Sequence, residues 1–303
     1  MLPTFSLLYS TILRGKWLID FREIEAHQAF IDKLLTRNLS SDDSQPDRAP
    51  LNILLATGTE MSSASNFKDA PAGSVAIIPL QGTMLKYGTW CSYGTTEIAA
   101  TINEAIASQK IIGIVLDIDS GGGSVDAIAP LLESIKKAQS KNKPVVASCD
   151  LCASAAYYIA CHCNEIMASN DISSEFGSIG VMMSFMDYAK YYEKEGFTQH
   201  TIYSNLSTHK NAPFEAAKKG DYATIKTEQL DPLAAKFQEA VKHQRNNKLN
   251  TTVEGILAGR VFYASDAKKN GLIDSIGTLQ TAVQRVKEIR LDASINQYIH
   301  SKS

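Results

Sequence analysis

Three short stretches of this 303-residue chain carry groups suited to acyl-transfer chemistry. The first is the run Asp119, Ser120, Gly121, Gly122, Gly123 and Ser124. Three consecutive glycines leave backbone N–H groups uncovered, and the run lies between an apolar, strand-like stretch and a helical one. It reads as a tight strand–helix turn, a phosphate loop or an oxyanion hole. The phosphate reading lacks a Gly-Lys-Ser/Thr ending, and the dinucleotide pattern G-x-G-x-x-G is absent as well. The second stretch holds Ser154 between Ala153 and Ala155, where a strand should turn into a helix. A serine there commonly caps the helix. It can equally be a nucleophile whose neighbour, Ala155, offers its N–H to an oxyanion. The G-x-S-x-G elbow of α/β-hydrolases is missing. The third stretch supplies a base. His209 suits a Ser-His-Asp triad and Lys210 a Ser-Lys dyad, while either can also be a solvated loop residue.

The cysteines suggest a competing chemistry. Cys149, Cys152, Cys161 and Cys163 have spacings compatible with a four-thiolate zinc site, with Cys91 left over. They flank the candidate nucleophile, however, and small buried cysteines are common. An odd number of cysteines argues against a disulfide framework and for a reducing compartment. No His-Glu-x-x-His motif supports a zinc protease.

These residues need rigid elements to position them. Apolar runs at 75–80, 111–118 and 145–149 read as strands, the second buried on both faces. Between them, Ile98, Ile102 and Ile106 mark one helix, and Val125, Ile128, Leu132 and Ile135 another. A further helix should follow Ser154 up to Ile159. A long helix carries Leu230, Leu233, Phe237 and Val241, and a last one carries Leu279, Val283, Val286 and Ile289. Strands alternating with helices imply an α/β domain with parallel pairing. The first 73 residues read differently. They offer an amphipathic helix over 21–35, a short strand over 51–56, and polar linkers over 38–50 and 57–73. Residues 62–66, small and polar, are the expected nicking site. The expected organisation is an appendage over 1–73, a catalytic domain over 74–291 and a tail over 292–303.

With 30 basic and 32 acidic side chains, the net charge of −2 offers no surface for a polyanion, so nucleic acid is not an expected partner. No run reaches the roughly 18–20 apolar residues of a membrane helix. The N-terminus has no basic region before its apolar residues, so neither a signal peptide nor a membrane anchor is expected, and the location expected is cytoplasmic.

Taken in order, the pieces resemble the signal peptide peptidase A family, Ser-Lys peptidases of the ClpP/crotonase fold. They are Asp119 to Gly123, Ala153 to Ala160 (ASAAYYIA), Phe176 to Val181 (FGSIGV), His209 to Pro213 (HKNAP), Gly259-Arg260-Val261, and Gly271 to Gly277 (GLIDSIG). The resemblance covers roughly residues 74–290. It implies a ClpP/crotonase-like spiral of sheets and helices and a serine endopeptidase without a cofactor. By position, Ser154 is implied as nucleophile, Lys210 as general base and Ser178 as the residue orienting the lysine. The amides of Gly122, Gly123 and Ala155 are implied as the oxyanion hole. Two departures stand out. Gly121 replaces the family's usual proline, and Ala155 and Ala156 replace its two glycines after the nucleophile.

The missing anchor, together with Trp17, Leu18, Ile19 and Asp20 ahead of a helix, resembles the phage capsid-maturation branch. That branch implies capsid or scaffold proteins as substrates. A homo-oligomeric ring in which Lys210 of one copy serves Ser154 of another is also implied, because the resemblance gives one catalytic domain where longer members have two. The alternatives are a bacterial signal-peptide or general peptide-degrading protease, acyl-CoA chemistry on the same fold, and an inert capsid assembly factor.

Overall fold

The computed structural model describes residues 16–19 and 51–300 except 59, 65, 90, 91, 186 and 188; for 16–19, 297, 298 and 300 only the backbone is described. The expected helix over 21–35 and linker over 38–50 lie outside the described residues.

The strands are β1 (Lys16–Ile19), β2 (Ile53–Thr57), β3 (Glu60–Ala64), β4 (Ser74–Gln81), β5 (Ile111–Ser120), β6 (Gly122–Ser124), β7 (Val145–Ala153), β8 (Glu165–Ala168), β9 (Glu175–Gly177), β10 (Met182–Met183), β11 (Val261–Tyr263) and β12 (Ser275–Ile276). The main helices are α1 (Thr95–Ala107), α2 (Ile128–Ser140), α3 (Ala155–Ala160), α4 (Ala189–Lys194), α5 (Ala212–Lys218), α6 (Asp231–Arg245), α7 (Ala264–Lys269) and α8 (Leu279–His300). The α/β class expected from the sequence is the one observed.

The large sheet runs in the order β11-β9-β7-β5-β4-β2-β3. Its centre, β4-β5-β7, is parallel, and antiparallel strands flank it at β2, β3 and β11. β7 forks the sheet: Val146 to Cys149 pair with β8, and Leu151 to Ala153 pair with β9. The fork coincides with a register irregularity between β5 and β7 after Ile118. A second, small sheet has the order β10-β1-β6.

β5 shows why the strands read as continuous apolar runs. Ile114, Leu116 and Ile118 join the larger core beneath α1 and α2, and Val115 joins a second core beneath α8, with Val283 and Val286. Both faces are therefore covered, as parallel strands require. Gly113 permits the close approach of α8, since a Cβ there would stand 2.4 Å from Val286 Cγ1.

Two stretches hold more regular structure than their sequence suggests. The stretch 57–73, read as linker, contains β3, which pairs with β2 from Ile53↔Ala64 to Thr57↔Glu60. Its Met61-Ser62-Ser63 sequence has low strand propensity, and it is the hairpin partner β2 that draws it into the sheet. β2 itself is core, with Ile53 and Leu55 buried. The last helix continues to His300, so residues 292–300 form its final turns. No glycine or proline lies between Leu279 and His300 to end it.

Candidate active site

Ser154 is the first residue after β7 and occupies the N-cap position of α3, at φ 53° and ψ −117°. Its side chain makes no capping hydrogen bond. The capping role is thus not the reason for a serine here. A non-glycine residue in this conformation stores about 1–3 kcal/mol and persists only where its surroundings enforce it. They do so from both sides. Ser154 N–H donates to Gly177 O at 2.8 Å, and Ser154 O accepts from Tyr158 N–H at 2.9 Å. Ala155, Ala156 and Tyr157 are fully buried, and Tyr157 Oη donates to Leu272 O at 2.7 Å. The alanines that replace the usual glycines therefore fit as packing residues. Ser154 itself is 1% exposed.

The Phe176 to Val181 and Gly259 to Val261 motifs meet across the β9–β11 pair, with Val261 opposite Gly177. Gly177 has φ 125°, and a Cβ there would lie 2.3 Å from Arg260 O. That carbonyl accepts the N–H of Ser178 at 3.0 Å. Ser178 is half-buried at φ 51°, one residue beyond the Ala153↔Gly177 pair.

The glycine run is a strand, not a cradle at a helix N-terminus. Ser120 stands opposite Cys152 on β7, so the run and Ser154 leave adjacent strand ends. Ser120 Oγ donates to Gly82 O at 2.6 Å and accepts Gly122 N–H at 3.2 Å. Met84 N–H donates to Gly122 O at 2.8 Å, and Ser124 N–H to Met84 O at 2.9 Å. A Cβ on Gly123 would sit 2.0 Å from Met84 O, so this close approach needs glycine. With the Gly122 amide engaged and the run extended, the phosphate-loop reading has no geometric support.

Lys210 is elsewhere. It lies in an exposed turn closed by its N–H to Ser207 O at 3.1 Å. Among the described residues, no hydrogen bond or ion pair joins it to Ser154 or Ser178. His209 is exposed in the same turn. The structure thus gathers Ser154, Ala155, Ser178, Gly122 and Gly123 at neighbouring strand ends and leaves both candidate bases on the surface.

The four described cysteines form no metal centre. Cys149, Cys152 and Cys161 are buried free thiols and Cys163 is half-buried. Burial pushes the thiols of Cys149, Cys161 and Cys163 upward, disfavouring the thiolates a zinc site needs. Among the described residues, no group of three or more His, Cys, Asp or Glu could hold a metal ion.

One supporting device has no clear signal in the sequence. Arg245 on α6 is 4% exposed and pairs bidentately with Asp274 at 2.9 and 3.0 Å, while its Nε donates to Gly271 O at 2.8 Å. Asp274 also accepts Lys248 Nζ at 2.6 Å and Ile166 N–H at 2.8 Å. Burial pushes Asp274 upward, but the hydrogen bonds and charge of Arg245 outweigh it and hold the carboxyl below its ordinary value. The Gly271 to Gly277 motif is therefore scaffolding: it anchors β8 and, through Leu272, the α3 helix that follows Ser154.

Comparison with known proteins decides the family. The model described as "Peptidase family S49" matches residues 137–293, just over half of the chain. The chain belongs to peptidase family S49. It is 32% identical over 221 residues to the chloroplastic serine protease SPPA of Arabidopsis thaliana, covering 71% of this chain and 32% of that one. It is 26% identical over 230 residues to Protease 4 of Haemophilus influenzae, covering 74% and 36%. It is also 23% identical over 261 residues to the capsid assembly protease C of Escherichia phage lambda, covering 84% and 57%. The chain thus matches between about a third and somewhat over half of the length of these relatives. Among solved structures, a 1510-N membrane-bound stomatin-specific protease aligns at TM-score 0.42 and 15% identity, covering 69% of this chain and 81% of that one. An enoyl-CoA hydratase/carnithine racemase from Magnetospirillum magneticum aligns at 0.43 and 10%, covering 81% and 82%. Likeness at that level carries no weight for function. Within this S49 member, no helix of the described residues is long and apolar enough to cross a membrane.

Proposed function

We propose that this S49 chain is a serine endopeptidase acting through a Ser154–Lys210 dyad. Ser154 attacks the peptide carbonyl as Lys210 takes its proton, and the amides of Ala155 and Gly123 hold the oxyanion; the C–N bond breaks as Lys210 passes the proton to the departing amine, and water then splits the acyl ester, leaving a carboxylic acid and the free Ser154 hydroxyl. Ser178 orients the amine. The observation that carries the reading is the strained, buried Ser154 at a strand–helix junction, with a hydroxyl that caps nothing.

A lysine acts as base only when its charge is suppressed by burial. Lys210 is exposed in the single chain, and a neighbouring copy is the proposed source of that burial. The segment around it supports this, because Tyr191, Tyr192, Phe197, Ile202 and Leu206 are between 54% and 95% exposed. Five large exposed apolar side chains within one short segment favour an interaction site there. A ring in which Lys210 of one copy reaches Ser154 of the next accounts for both features.

For the substrate, the likeness to the lambda capsid assembly protease favours phage head proteins, with bacterial signal peptides or other peptides as the second reading and an inert assembly role as the third. The catalytic unit is proposed to begin at β2, because β2 and β3 extend its sheet ahead of residue 74. The test is labelling with a fluorophosphonate followed by peptide mass spectrometry. An adduct on Ser154, absent from Ser154→Ala at unchanged circular dichroism, is expected. An unlabelled Ser154 in the assembled protein refutes the nucleophile.

A further inference from the structure

The small sheet gives the Trp17-Leu18-Ile19 segment a place that its sequence did not announce: it is a strand. β6 and β10 do not pair with each other; β1 lies between them and pairs antiparallel with both. The register sets Trp17 opposite Ser124, Leu18 opposite Gly123 and Ile19 opposite Gly122 on one side. On the other, Lys16 is opposite Met183 and Trp17 opposite Met182. Neighbouring strands lie about 4.8 Å apart, so the flanks stand roughly 10 Å apart, the width of one extended chain.

The flank on the β6 side is the glycine run. Its outer edge is engaged by Met84, which donates to Gly122 O and accepts from Ser124 N–H. Backbone groups alternate along a strand, so Gly123 turns its N–H and C=O to the inner edge, where Leu18 stands. Gly122 N–H is held by Ser120 Oγ. The glycine amide that faces the channel is therefore Gly123, and β1 occupies it. β1 belongs only to the small sheet, so its departure unpairs no strand of the large one.

We infer that the channel between β6 and β10 is a groove for an extended peptide, antiparallel to both flanks, and that β1 fills it as an internal occupant with Leu18 over Gly123. The inference rests on the assignment of Gly123 and Ser154 to the active site. In this arrangement the groove is closed, and a substrate enters by displacing β1.

Two readouts separate the inference from that assignment. The first is fluorescence anisotropy of a labelled peptide with the sequence of residues 14–22, added to chains carrying Ser154→Ala, which needs no chemistry. The second is the fluorophosphonate labelling rate with Ser154 present. Leu18→Pro removes an N–H from β1 and weakens its pairing. It should tighten peptide binding and speed labelling at least tenfold. The pair Trp17→Cys and Ser124→Cys, directly opposed, should form a disulfide that locks β1 in place. Oxidation should suppress binding and labelling below the unmodified chain, and reduction should restore both. Equal peptide binding in the unmodified, Leu18→Pro and locked chains overturns the inference, whatever the labelling. Binding that responds as expected while Ser154 never labels supports the groove and refutes the nucleophile. If Leu18→Pro loses its native circular dichroism, the reversible lock decides alone.

Discussion

Ser154 and Ser178 each stand one residue past a single paired position, Ala153 opposite Gly177, and both carry a positive φ, 53° and 51°. Two parallel strands thus end together, and each turns sharply on a serine. The bond from Ser154 N–H to Gly177 O ties the two turns. Strain at one is coupled to the position of the other, which is how a rigid scaffold can hold two hydroxyls in fixed relation.

Replacing Ser154 should separate stability from chemistry. Ser154→Ala removes a buried hydroxyl that caps nothing, so folding stability should change by less than about 1 kcal/mol while turnover is lost. Ser154→Gly suits the backbone better and should stabilise by about 1 kcal/mol, raising the melting temperature by roughly 2–4 °C. Differential scanning calorimetry measures both. A large loss of stability in Ser154→Ala would assign the hydroxyl a structural role.

Gly177→Ala should be costly. The φ of 125° alone disfavours a side chain, and its Cβ would lie 2.3 Å from Arg260 O. Destabilisation of about 2–4 kcal/mol is expected from strain plus overlap. Because Arg260 O also holds Ser178, acyl-enzyme formation should fall at temperatures where the variant is still folded. Urea unfolding and labelling rates on the same preparation check this.

The Arg245–Asp274 pair gives a pH signature. The folded-state value of Asp274 lies below its unfolded one, so its contribution is present above about pH 4 and fades as pH falls through the folded value. Arg245→Met leaves a half-buried carboxylate with Lys248 as its remaining cation and should cost about 2–4 kcal/mol at pH 7. The difference between the two proteins should shrink toward pH 3. Urea unfolding at pH 3, 5 and 7 tests the sign; a gap independent of pH would mean the loss is one of packing.

Lys210→Ala should abolish turnover and His209→Ala only weaken it. Mixing Ser154→Ala with Lys210→Ala chains should recover activity after subunit exchange if copies share the dyad. Recovery only from chains carrying both residues would mean that Ser154 and Lys210 pair within one chain, and the opposite ranking of the two alanine variants would favour a Ser-His mechanism. Hydrolysis of a fluorogenic peptide reports each case.

The sequence was most legible where one local rule decides. The apolar runs of β4, β5 and β7 and the helical spacing of Ile98, Ile102 and Ile106 needed no tertiary context. Ser154 could be located from its place between strand and helix, but not its strain, because φ is imposed by Gly177, Tyr157 and the packed alanines. β3 was read as linker because Ser62 and Ser63 gain strand structure only through pairing. Arg245 and Asp274 are 29 residues apart, and nothing local marks them as partners. Trp17, Leu18 and Ile19 stand out in the sequence, but not as a strand, for a related reason. The four residues of β1 form a strand only because two separate edges flank them.

The position of α8 has a consequence for biosynthesis. Ile77, Val115, Val146 and Met167 on one face of the sheet are covered by Ala282, Val283 and Val286, which are translated more than a hundred residues after Val146. At about 5–20 residues per second, a ribosome needs several seconds to deliver that cover. During this interval the nascent sheet presents bare aliphatic surface to chaperones. Val115 and Val146 lie on the strands that carry the glycine run and Ser154, so the strand ends cannot be fixed until α8 has left the exit tunnel. The emergence of α8 therefore sets the earliest moment at which these two strand ends can settle into their final positions.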